Sequence, residues 1–175
     1  MQELSGISSN VYFIQTDISK PADVKFLIEE TVRIFGKLDI AFNNAGIEGN
    51  FAPISEVTEE QFDEVMAINL KGVWLSCKYE IEQFKKQGTA GVIVNTSSWL
   101  AKGAFPGSAV YSANKSAIDG LVRALAVETA SAGIRINNVQ PGYIQTPMFD
   151  RFFTDESQKE PLKKHDVHSI FPFKK

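Results

Sequence analysis

Tyr111 and Lys115 stand four residues apart in the stretch Tyr111-Ser-Ala-Asn-Lys115. Ala113, Ala117, Leu121, Ala124, Leu125 and Ala126 favour a helix there. On a helix, positions i and i+4 share a face, so an ammonium is brought beside a phenol. A free tyrosine titrates near ~10 and is a poor base at neutral pH. A neighbouring positive charge favours the phenolate and lowers that value. Such a pair is a proton donor and acceptor that can be tuned. Taken alone, Tyr-x-x-x-Lys is more often an exposed structural pair than a catalytic one, so the rest of the chain decides.

The elements that must position this pair alternate between strand and helix patterns. Val11-Tyr-Phe-Ile14 is a short β-type run. Ser19, just ahead of Pro21, is a candidate helix cap with proline in the first turn. Val24, Leu27, Ile28, Thr31, Val32 and Phe35 then form one apolar stripe, and Gly36 suits the exit. Leu38 to Phe42 reads as a second strand covered on both faces. Thr58 and Gln61 have the spacing of a capping box, with Val57 and Phe62 as its staple. A long helix follows to about Lys86, with Gly88 as its stop. Gly91 to Thr96 is a third strand, Trp99 to Gly107 a loop, and Ile134 to Val139 a fourth strand. This alternation predicts a parallel sheet in an α/β fold. The polar candidates Asp17, Asn43 to Gly46, Ser97-Ser98 and Pro141 to Thr146 fall just after strands, where open α/β sheets bind ligands.

Composition bounds the rest. A chain of 175 residues suits one domain with a real core. Its 18 basic and 21 acidic residues leave a net charge of −3. Basic residues cluster only at Lys163-Lys164 and Lys174-Lys175, which gives nucleic-acid binding little support. No apolar run is long enough to span a bilayer, so no membrane partner is expected, and the start lacks the pattern of a signal peptide. The lone Cys77, among Trp74, Leu75 and Tyr79, reads as a small core residue, and no metal site is expected. A cytoplasmic setting is the default for such a chain.

These residues together resemble the short-chain dehydrogenase/reductase family, classical type, over roughly residues 11–148. The resemblance rests on Thr16-Asp17-Ile18, Asn43-Asn-Ala-Gly46, Asn69 within Ile-Asn-Leu, Ser98, Tyr111-x-x-x-Lys115 and Pro141-Gly142-x-x-x-Thr146, in the family's order and spacing. Each motif is weak alone; the set is specific. It implies a doubly wound, Rossmann-type parallel sheet flanked by helices. It also implies an NAD- or NADP-dependent oxidoreductase that interconverts a small-molecule alcohol with its ketone or aldehyde by hydride transfer. Tyr111 would be the acid in reduction and the base in oxidation. Lys115 would lower its pKa and hold the nicotinamide ribose, so that both residues also meet the cofactor. Ser98, thirteen residues before Tyr111, would hydrogen-bond the substrate oxygen where charge develops; capping is the alternative role for either Ser97 or Ser98. Asn69 would hold a water that relays protons through Lys115. Asp17 and Ile18 would lie beside the adenine, and Asn44, Ala45 and Gly46 would pass the adenosine ribose. Pro141, Gly142, Ile144 and Thr146 would hold the nicotinamide amide and nearby phosphate. By analogy with the family, the two long helices, about 59–87 and 110–131, would assemble a homotetramer.

The chain departs from the family in two places. The strand, glycine-rich turn and helix that normally cradle the pyrophosphate have no counterpart; the glycine pairs Gly46/Gly49 and Gly103/Gly107 lie elsewhere. In the strand order 3-2-1-4-5-6, the Val11 strand would be number three without its neighbour. It must detach, re-pair or find another chain, while strands four, five and six still pair. At the far end, Arg151 to Lys175 has a loop-like character. The chain therefore reads as one incomplete domain, 1–175, with a family-like core at 11–148 and an atypical tail at 149–175, an internal piece of such an enzyme. A catalytically inactive remnant, unable to bind the pyrophosphate, is the competing reading; an epimerase or dehydratase of the related extended type fits the motifs less well. Leu100, Phe105 and Val110 suggest an apolar substrate wall.

Overall fold

The computed structural model describes residues 10–144 and 146–151. The expectations for residues 1–9, and for most of the tail (152–175), lie outside the described residues.

Three parallel strands, β1 (Ile40–Asn43), β2 (Gly91–Thr96) and β3 (Ile134–Val139), form a sheet in the order β1-β2-β3. β2 and β3 begin and end where the sequence pattern places them. Each is entered from a glycine-terminated helix: Gly88 and Gly133 adopt the left-handed backbone (φ 66° and 70°) that glycine tolerates best. β1 starts later than Leu38. The Gln87 side chain binds the Leu38 backbone on both sides, accepting from its N–H and donating to its carbonyl at 2.9 Å each, so Leu38 is pinned by an amide rather than by a neighbouring strand.

Residues 11–14 are not a strand. A ladder needs a partner, and among the described residues all three strands pair only with one another. The segment has no regular structure, with Tyr12 and Phe13 exposed. The outer edge of β1 is likewise unpaired among the described residues, and Ile40 and Phe42 are exposed along it.

The first helix, α1 (Pro21–Phe35), carries its proline in the first turn and ends on Gly36 at φ 84°. Its N-cap is Lys20, not Ser19. The Ser19 N–H and hydroxyl both bind Asp17 Oδ1, at 3.0 and 2.7 Å, which turns the serine away from the helix. The Thr58–Gln61 capping box is present and opens α2 (Glu59–Val65). Here one long helix was expected. Instead α2 runs through a π-helical turn, Met66–Lys71, into α3 (Gly72–Gln87). α4 (Ala109–Thr129) precedes β3, and a one-turn helix α5 (Pro147–Asp150) follows it.

The core lies between sheet and helices. Phe84, Ile93 and Ile118 are fully buried at its centre, with Val73, Cys77, Ile81, Val122, Ile134 and Ile136 around them. Burial of this kind stabilises by ~1.5–3 kcal/mol for each large apolar side chain. The packing is close enough that a Cβ at Gly91 would come within 2.5 Å of the Phe84 ring. Among the described residues no helix is long and apolar enough to cross a membrane.

Candidate active site

The parallel register sets Asn43 beside Asn95 and Thr96 beside Val139. The segments leaving all three strands therefore emerge at one end of the sheet. Two backbone bonds tie them beyond it: Ser97 N–H to the Val139 carbonyl at 2.8 Å, and Trp99 N–H to the Pro141 carbonyl at 3.0 Å. A cavity of about 550 Å³ opens there. Asn44, Gly46, Ser98, Tyr111, Lys115, Pro141, Gly142, Ile144 and Thr146 all line it. Nine residues singled out in the sequence thus converge on one space, from four separate segments.

Tyr111 and Lys115 stand on one face of α4, with Lys115 Nζ 5.5 Å from the centre of the phenol ring. Lys115 is almost wholly buried, and Nζ donates to the Thr96 carbonyl at 2.8 Å. Burial of the charge lowers its pKa to about 8. The phenol behaves differently from expectation. Its pKa is raised, first by burial, with the Glu48 carboxylate adding to the rise; the Ser98 hydroxyl beside it opposes both. In this arrangement Lys115 does not bring the phenol down. Burial sets the direction, and the ammonium is turned toward the Thr96 carbonyl.

The two serines separate cleanly. Ser97 donates to Asp119 Oδ1 at 2.8 Å and lies 3.3 Å from the Lys115 carbonyl. Asp119 also accepts from Asn138 and Gln140, at 2.8 and 2.5 Å. That knot, buried at Ser97 and Asp119, ties the ends of β2 and β3 to α4. Ser98 does cap: its oxygen accepts from Leu100 N–H at 3.1 Å, at the start of a short 3₁₀ turn, Trp99–Ala101. Capping uses a lone pair and leaves the hydroxyl proton free to be donated toward the cavity that Ser98 lines.

Asn69 does not line the cavity. It is buried in the π turn, where Oδ1 accepts from the Ile47 N–H at 2.8 Å and Nδ2 donates to the Ile47 carbonyl at 2.7 Å. A Cβ at Gly46 would sit 3.1 Å from that oxygen, so glycine is what lets the loop approach. The side-chain amide thus clamps the loop after β1. Asp17, Ile18 and Ala45 also lie off the cavity wall. Asp17 is bound by Ser19 and paired with Lys20 at 3.2 Å. Ile18 packs on the start of α3, where a Cβ at Gly72 would come within 2.8 Å of it.

A match to the short chain dehydrogenase family model covers residues 1–157. The chain belongs to this family. An uncharacterized oxidoreductase of Thermotoga maritima is 42% identical over 173 residues, which span 98% of this chain and 66% of that protein. A 2-(R)-hydroxypropyl-CoM dehydrogenase of Xanthobacter autotrophicus is 42% identical over 143 residues, 81% of this chain and 57% of that one. Among solved structures, an NAD+-bound xylitol dehydrogenase superposes with a TM-score of 0.75 at 35% identity, over 78% of this chain and 53% of that one. ElxO with NADP bound superposes at 0.80 and 31% identity, over 91% of this chain and 67% of that one. This short-chain dehydrogenase chain thus has a Rossmann-like α/β fold, and it spans roughly half to two-thirds of the curated relatives it matches.

The nicotinamide end of a dinucleotide fits the residues present. A buried ammonium has three donors, and among the described residues the recorded acceptor of Lys115 is the Thr96 carbonyl. The remaining donors suit ribose hydroxyls. Asn44 is preset as well, its Oδ1 accepting from the Thr96 hydroxyl at 2.8 Å. Other cavity residues had no signal in the sequence: Glu48, Phe51, Tyr143, Phe149 and Arg151. An aromatic in a loop is usually packing, and nothing in its spacing marks the cavity. Glu48 and Arg151 pair at 2.6 Å across 103 positions, a contact only the fold creates.

Proposed function

We propose that this short-chain dehydrogenase interconverts an alcohol with its ketone or aldehyde, using NAD or NADP. The convergence of Ser98, Tyr111 and Lys115 on one cavity carries the reading. When bound, the cofactor supplies or accepts the hydride. Asn44, Lys115 and the Pro141–Thr146 segment would hold its nicotinamide half. The residues do the rest. Ser98 donates its hydroxyl proton to the substrate oxygen and steadies the charge that develops there. In reduction Tyr111 gives its proton to that oxygen; in oxidation it takes one. The raised phenol keeps its proton at neutral pH, the form that reduction needs, and becomes a base only as pH rises. Lys115, its Nζ 5.5 Å from the ring centre, would place a positive charge near the phenolate left when Tyr111 has given up its proton. Asn69 acts on the same site by holding Ile47; a water relay in this enzyme would draw on its backbone rather than on an amide already bonded at both atoms. The protein would work in the cytoplasm, as a single catalytic domain assembled into a homotetramer through α2, α3 and α4.

A second reading, a remnant that binds no cofactor, draws on Asp17, Ile18 and Ala45 standing off the cavity. One titration separates the two. NADH and NADPH are added to the 175-residue chain while tryptophan fluorescence is followed; Trp99 lines the cavity, and Trp74 serves as the remote reference. Saturable quenching at micromolar levels, lost in Trp99→Phe, is expected for the enzyme. No binding at millimolar levels would leave only the remnant.

A further inference from the structure

Two aromatic clusters form walls of the cavity. In one, Phe51 tilts against Tyr111, with centroids 5.7 Å apart at 45°, and against Phe105 at 6.4 Å and 57°. In the other, Tyr143 packs against Trp99 at 5.2 Å and Phe149 at 5.9 Å. Glycines set both walls. A Cβ at Gly103 would strike the Trp99 indole at 2.4 Å. Gly107, at φ 80°, brings the Phe105 loop so close to the chain carrying Phe51 that a Cβ would meet the Ala52 nitrogen at 3.0 Å. Neither loop can take a bulkier residue there without moving, so the rings are placed by backbone rather than by chance rotamers.

Charge is nearly absent from this space. Three charged residues line it among the described ones: Glu48, Lys115 and Arg151. Lys115 is bound to the Thr96 carbonyl at the cofactor side. Glu48 and Arg151 neutralise each other through their 2.6 Å contact. The rest of the lining is mostly aromatic and aliphatic, and a charge laid desolvated against it is unfavourable. A rigid ring meets tilted aromatic faces without losing torsional freedom, whereas a flexible chain must be frozen to make the same contacts.

We infer that the substrate is an uncharged, ring-bearing secondary alcohol or the corresponding cyclic ketone, held between the Phe51–Phe105 and Trp99–Tyr143–Phe149 walls with its oxygen toward Ser98 and Tyr111. This rests on the alcohol–carbonyl reading above, and names its substrate class. Phe51, Phe105 and Tyr143 are then the residues that set specificity.

Calorimetric titration of the full 175-residue chain, with and without NADH, tests it using three probes. Cyclohexanone is the uncharged ring, 2-hexanone the uncharged chain of equal carbon number, and 4-oxocyclohexanecarboxylate the charged ring. Cyclohexanone should bind at least fivefold more tightly than 2-hexanone and at least tenfold more tightly than the keto acid. Phe105→Ala should weaken cyclohexanone at least fivefold and 2-hexanone less than twofold, and Phe105→Leu should fall between. Far-UV circular dichroism verifies the fold of each variant, and Phe105 is a partly exposed loop residue whose loss the core tolerates. Equal binding of the three probes, tighter binding of the keto acid, or no effect of either Phe105 variant would overturn the inference. Selective ring binding without turnover by either cofactor would sink the oxidoreductase reading and leave only the cavity's preference for uncharged rings; equal turnover of all three ketones would uphold the oxidoreductase reading and overturn the preference.

Discussion

Two buried polar clusters flank the carboxyl end of β2, and they have opposite fates. One is the cavity wall of Ser98, Tyr111 and Lys115. The other lies between β1, β2 and α3, where Asn43 Nδ2 donates to Glu80 Oε2 at 3.1 Å and to Asn95 Oδ1 at 2.9 Å, with the Cys77 thiol 3.5 Å from that same oxygen. Both clusters hold an ionisable group displaced by burial. Lys115 is lowered to about 8 and Glu80 is raised to about 7. Cys77 is pushed up to about 12, by burial and then by the Glu80 charge. Yet only the first cluster meets open space. A perturbed pKa marks desolvation, and desolvation serves cores as well as active sites. What distinguishes a working group here is a face on the cavity.

The sharpest way to break that comparison is to remove the buried charge from each side. Lys115→Met should reduce turnover at least about a hundredfold, the scale of a lost acid–base partner. It should leave stability at pH 7 unchanged or improved. The sign follows from linkage: the folded-state value lies below 10.5, so the burial penalty is full below about 8 and vanishes above 10.5. Thermal melts from pH 7 to 10.5 should show the variant's advantage fading.

Asn69→Ala ranks next and acts without touching the cavity. It strands the Ile47 N–H and carbonyl in a half-buried place, which should destabilise by about 1–3 kcal/mol, readable in urea unfolding. If Asn69 served only a water relay, turnover would fall with stability intact.

Glu80→Gln is the counterpart of the lysine variant. Glu80 binds its proton more tightly when folded, so its contribution is full below 4.5 and is lost as pH rises through about 7. The wild-type chain should lose on the order of 2–3 kcal/mol between those limits through this one group. The variant, still able to accept from Asn43, should flatten that slope while turnover at fixed pH changes less than about twofold. The smallest effect concerns Cys77. A fully buried thiol with so high a pKa should resist a thiol-specific disulfide reagent in the native state and react once urea unfolds the chain.

Much of this was legible before any coordinates, for identifiable reasons. β2 and β3 each follow a glycine that ends the preceding helix, so Gly91–Thr96 and Ile134–Val139 could be read to the residue. The Thr58–Gln61 box is local chemistry and was equally plain. Tyr111, Lys115, Ser98 and the Pro141–Thr146 segment were legible as a set through the family's motifs in their order and spacing, since strand position alone marks neither Tyr111 nor Ser98 over Ser97. What escaped depends on partners distant in sequence. Residues 11–14 have strand-like composition, but strand state belongs to a pair. Leu38 is claimed by Gln87, 49 positions away. The π turn exists where Asn69 reaches Ile47, 22 positions back. The rise of the Tyr111 pKa needed Glu48 and the depth of the pocket, neither of which the i, i+4 spacing contains.

The central claim is that the Tyr111 hydroxyl exchanges a proton with the substrate oxygen. Tyr111→Phe removes that one atom and keeps the ring against Phe51. Turnover of cyclohexanone with NADH or NADPH, measured beside cofactor affinity and the melting temperature, is the direct test. Turnover should drop by about a hundred- to ten-thousandfold, with cofactor affinity and melting temperature nearly unchanged. A variant that turns over as fast as the wild type, across the pH range, would contradict the account.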